Sequence, residues 1–95
     1  LGGKGVISVA ANIVPKTMKQ ICADYLAGNV EASRKSFLDY LELMDALFWD
    51  VNPIPVKTAM NCMGFHCGDC RLPLTGMSGE MKEKLLKVLK KYQLI

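Results

Sequence analysis

Gly2-Gly3-Lys4-Gly5-Val6-Ile7-Ser8-Val9-Ala10-Ala11-Asn12 is the stretch on which the fold class turns. Val6 to Ala10 reads as one short β-strand, a run of β-branched and small residues without a polar alternation. Such a run suits a strand covered on both faces, as in a parallel sheet flanked by helices. Glycines precede it, where a tight turn or a close backbone approach is expected. Pro15 then opens a helix. The unit is strand, loop, helix, and no second strand follows anywhere in the chain. Burying a strand without neighbours costs roughly 1–3 kcal/mol for each unpaired backbone group. The expectation is therefore a piece of something larger, or a chain that docks onto a sheet made elsewhere.

The remaining residues read as helices. Pro15–Ala27 carries an apolar stripe of Met18, Ile21, Cys22, Tyr25 and Leu26, and Gly28 is its expected stop. Val30 to Phe48 reads as one continuous helix, with Asn29 as its cap. A third helix is expected to begin near Pro53, capped by Asn52, and to end near Met63. Residues 65–77 read as loop. Ser78 caps a last helix, Gly79–Gln93, with Met81, Leu85, Val88, Leu89 and Tyr92 inward and five lysines outward.

Bulk composition limits the function classes. Ninety-five residues make one small domain at most, and an apolar fraction of 51% predicts surface that wants a partner. A net charge of +3 does not argue for nucleic acid, and no apolar run is long enough to span a membrane. No signal-peptide pattern is seen, so the four cysteines read as reduced thiols in a cytoplasmic protein.

The strongest local cluster is Cys62, His66, Cys67 and Cys70. Thiolates and an imidazole are zinc ligands, and the cysteine spacing resembles part of a plant-type iron–sulfur motif. A fourth downstream Cys is missing, and adjacent His66 and Cys67 converge on one ion only awkwardly. The expectation is structural cysteines and no metal, with a self-standing helical interaction module built on a Cys/His metal site as the alternative. His66 has no nucleophile partner in sequence to serve as a base. Lys57 has no local burial to lower its pKa for Schiff-base chemistry. Gly2-Gly3-x-Gly5 precedes its strand, the wrong order for a nucleotide loop.

Three blocks together resemble a known family: Leu1 to Val9, Asn52-Pro53-Ile54-Pro55-Val56-Lys57, and Arg71-Leu72-Pro73-Leu74. In this order and spacing they are similar to the C-terminal third of the dihydrodipicolinate synthase family, more than to relatives such as N-acetylneuraminate lyase. The resemblance implies an α/β parent, a (β/α)8 TIM barrel. Residues 1–28 would be its last βα unit and residues 29–95 a C-terminal extension of three helices. It implies a lyase that forms a Schiff base with pyruvate and condenses it with aspartate semialdehyde in lysine and diaminopimelate biosynthesis, with no cofactor. The Schiff-base lysine, catalytic tyrosine, threonine loop, substrate arginine and lysine-feedback residues would all lie upstream, leaving this chain inactive alone. One site residue maps here: the backbone carbonyl of Ile7 would line the pyruvate pocket. The resemblance further implies a homotetramer, with a subunit contact near Leu1.

Overall fold

A computed structural model describes residues 2–95; the expected subunit contact at Leu1 lies outside them. After an extended segment comes a 3-10 turn, Ala10–Asn12, and then five α-helices: α1 Pro15–Leu26, α2 Val30–Asp39, α3 Leu41–Ala46, α4 Ile54–Cys62 and α5 Gly79–Lys91. Among the described residues there is no strand.

The expected strand Val6–Ala10 is therefore corrected for this chain. Val6 is 72% exposed and Ile7 fully so, and among the described residues no backbone hydrogen bond reaches residues 2–7. Val9 and Ala10 instead turn into the 3-10 segment. A strand exists only as one side of a ladder, and this chain supplies no other side.

The core is built from the 3-10 turn, α3, α4 and α5. Ala10, Ile13 and Val14 pack with Leu43, Ala46 and Leu47, with Val56 and Ala59, and with Leu85, Val88 and Leu89. The Leu85/Val88/Leu89 stripe is the one expected from the spacing, and Ser78 caps α5 by accepting from the Met81 N–H at 3.4 Å. Complete burial of leucines 43, 47, 85 and 89 stabilises this region by about 1.5–3 kcal/mol per side chain.

The hairpin of α1 and α2 is built differently. The two helices pack on each other, yet neither buries an apolar residue. Their one buried residue is Ser33, whose hydroxyl donates to the Ile21 carbonyl at 2.7 Å and ties the pair together. Tyr25 and Leu26, on the expected apolar stripe, face solvent at 61% and 78%. The radius of gyration is 14.5 Å, against about 12.4 Å for a compact domain of this length. An elongated chain with an unburied helical hairpin lacks its own second layer.

The continuous helix expected over Val30–Phe48 is split at Tyr40, so four helices, not three, follow residue 28. A residue distant in sequence packs on the break. The Tyr92 hydroxyl donates to the Asp39 carbonyl at 2.7 Å, and the Tyr92 ring packs on Tyr40 with centroids 5.1 Å apart. A carbonyl turned out at the break thus keeps a partner. Below it, Lys91 of α5 bonds to Glu42 of α3.

Smaller shifts occur at helix ends. α1 stops at Leu26, with Gly28 at φ +86°, where its N–H bonds back to Tyr25 and that of Asn29 to Asp24. α4 begins at Ile54, one residue later than expected, and the Asn52 side chain makes no capping bond. α5 ends at Lys91 rather than Gln93.

Candidate functional site

Ile7 is the one residue expected to meet a substrate, and its setting follows from what lies on either side. Before it, residues 2–7 have no backbone partner among the described residues. After it, the chain is fastened at once. The Ser8 hydroxyl accepts from the Ala11 N–H at 3.2 Å. The Asn12 backbone N–H and its side-chain Nδ2 both donate to the Val9 carbonyl, at 3.1 and 3.0 Å. Ala10, Ile13 and Val14 then anchor the turn in the core. Ile7 sits at the boundary between a tethered turn and an open segment.

That open segment forms one wall of a groove of about 320 Å³, with Gly5 and Val6 opposite Cys22, Tyr25 and Leu26 of α1. The groove is mostly apolar and open along its length. Its shape is that of a helix face and a backbone edge awaiting a neighbour. Ser8 and Asn12 of the adjoining turn, and Ser33 in the groove, were not singled out by sequence reasoning. The signal for Ser8 was present, since a hydroxyl three residues before a turn N–H is a cap pattern. Ser33 gave none, because its partner lies on another helix.

The other candidates lie elsewhere. Lys57 Nζ donates to the Asp69 carbonyl at 2.6 Å, and Asn61 bonds to the Cys67 N–H and the Gly68 carbonyl at 2.6 and 3.0 Å. Both α4 side chains hold the 65–77 loop, which gives Lys57 a capping task. His66 is exposed, at φ +53°. Cys62, Cys67 and Cys70 are half-buried free thiols, and Cys67 Sγ lies 3.9 Å from Met60 Sδ. Among the described residues no group of three or more His, Cys, Asp or Glu side chains is arranged to hold a metal ion. Of the lysines on α5, Lys84 pairs with Glu80 at 3.0 Å and Lys91 with Glu42. No helix among the described residues is long and apolar enough to cross a membrane.

The features above define a helical segment with an open, mostly apolar groove between residues 3–6 and α1. The model of the dihydrodipicolinate synthetase family matches residues 1–92, and the chain belongs to that family. It is 58% identical over its full length to the 4-hydroxy-tetrahydrodipicolinate synthase of Acetivibrio thermocellus, of which it covers 32%. It superposes on 32% of the dihydrodipicolinate synthase structure from Thermotoga maritima with a TM-score of 0.94, at 49% identity over 99% of this chain. A similar match, TM-score 0.92 and 38% identity, is to the chloride-inhibited enzyme from Acinetobacter baumannii complexed with pyruvate, with 99% of this chain and 32% of that one covered. The chain spans about a third of the length of these relatives, whose fold is the TIM barrel.

Proposed function

We propose that this chain is the closing segment of a Schiff-base lyase that condenses pyruvate with aspartate semialdehyde on the route to diaminopimelate and lysine. Residues 1–28 supply the last βα unit of the barrel and residues 29–95 its C-terminal helical extension. The assembled enzyme works in the cytoplasm as a homotetramer. The observation that carries this reading is the unpartnered segment Gly2–Ile7 beside the unburied face of α1. Together they present a backbone edge and an apolar helix surface of the kind a barrel wall would cover.

On this reading the chain does one thing for the chemistry. The Ile7 carbonyl, a backbone acceptor, lines the pocket in which pyruvate is held. A backbone group tolerates change in its side chain but depends on the placement of the strand that carries it. The nucleophilic lysine comes from the rest of the barrel, and Lys57, committed to the Asp69 carbonyl, is no substitute. The chain alone is accordingly inactive.

Borohydride reduction in the presence of pyruvate tests this, because it converts a Schiff base into a stable amine whose mass is measurable. The full-length protein should gain one adduct on a lysine outside this segment, and the isolated chain none. An adduct on Lys57 of the isolated chain, or none on the full-length protein, would overturn the reading. Stoichiometric zinc or iron in the isolated chain would instead favour a Cys/His metal module.

A further inference from the structure

The direction of a backbone carbonyl is fixed by its peptide plane. The Ile7–Ser8 plane is set by ψ of Ile7 and φ of Ser8, since the bond between them does not rotate. Among the described residues no backbone hydrogen bond holds the Ile7 side of that plane. The Ser8 side is held, because the Ser8 hydroxyl accepts from the Ala11 N–H at 3.2 Å and closes the first turn after the open segment. Asn12 closes the same turn from its other end through the Val9 carbonyl. The turn in turn is seated on buried Ala10, Ile13 and Val14.

We propose that Ser8 is a positioning residue, whose hydroxyl, by capping the 8–12 turn, sets the direction in which the Ile7 carbonyl enters the pyruvate pocket. This rests on the reading of Ile7 given above. Ser8 touches no reacting atom on this account. It acts one residue away, by denying the junction the alternative conformations that an uncapped turn would sample. Serine suits the task as a strong capping residue, and threonine keeps the oxygen, whereas alanine loses it. Asn12 supports the same geometry with one further bond.

The test uses the full-length enzyme. Ser8→Ala should lower kcat/KM for pyruvate roughly two- to thirtyfold, the fold-change equivalent of losing a capping oxygen. The KM for aspartate semialdehyde should stay within about twofold, and Ser8→Thr should restore most of the loss. If Ser8→Ala does not fold, Asn12→Ala removes the other fastening and carries the same expectation. Three results would overturn the inference while leaving the proposed function intact: wild-type kinetics in the alanine variants, equal loss in Ser8→Thr, or parallel losses for both substrates. A wild-type enzyme that traps no pyruvate under borohydride overturns both.

Discussion

Replacing Tyr92 by phenylalanine isolates one contact made where the long helix is split at Tyr40. The substitution removes the hydroxyl that donates to the Asp39 carbonyl at 2.7 Å and keeps the ring that packs on Tyr40 at 5.1 Å. A net intramolecular hydrogen bond contributes about 0.5–1.5 kcal/mol. Tyr92 is half-buried and Asp39 exposed, so water replaces part of the lost bond and the lower half of that range applies, about 0.5–1 kcal/mol. In a chain of this size that corresponds to roughly 2–8 °C in Tm. Tyr92→Leu also removes the aromatic pair and should cost a further ~0.5–1.5 kcal/mol. Urea unfolding of the three proteins, followed by far-UV circular dichroism, reads the differences as shifts in midpoint at constant slope. A Tyr92→Phe variant as stable as the wild type would refute the role given to the hydroxyl. One as unstable as Tyr92→Leu would refute the separation of ring and hydroxyl.

Other perturbations follow from the same structure. Leu89→Ala empties a fully buried position between α5 and the core and should cost about 2–5 kcal/mol in urea unfolding. Gly28→Ala meets no atom within 4 Å but must adopt φ +86°; calorimetry should show a loss of about 1–2 kcal/mol from backbone strain alone. The Glu42 carboxylate, by its hydrogen bond first and its charge second, raises the Lys91 pKa above the ordinary lysine value. Because the folded-state value is the higher one, the pair's stabilisation is fully present below the unfolded lysine pKa and fades as pH rises through the folded one. The urea midpoint of the wild type should therefore fall towards that of Lys91→Met as pH rises beyond the ordinary lysine pKa of about 10.4. Two curves that stay parallel throughout would count against the pair.

Local chemistry was readable where it acts locally. Pro15 opens α1, Gly28 follows its end, Ser78 caps α5, and the Leu85/Val88/Leu89 stripe is buried. These signals lie within a turn or two of the residues they govern. The break at Tyr40 was not readable, because the group that satisfies it, Tyr92, lies more than fifty positions away and no helix breaker marks the site. The apolar stripe of α1 was legible as a stripe, but periodicity identifies a face and says nothing of what covers it. The 6–10 run shows the same limit. Its composition suits a strand, yet a strand is a relation between segments, and here Val9 and Ala10 fold into the turn while Val6 and Ile7 stay open. Of the candidate site, Ile7 was reached through the three family blocks, whereas the Ser8 and Asn12 fastening appears only once the turn is seen.

Hydrogen exchange at the Val6, Ile7 and Ser8 amides, measured in this chain alone and in the full-length protein, bears most directly on the claim that residues 2–7 form an edge completed from outside. The expected result is exchange near the rate of an unstructured peptide in the isolated chain and slowing by about a hundredfold or more in the full-length protein. Protection already present in the isolated chain, or fast exchange in both, would contradict it.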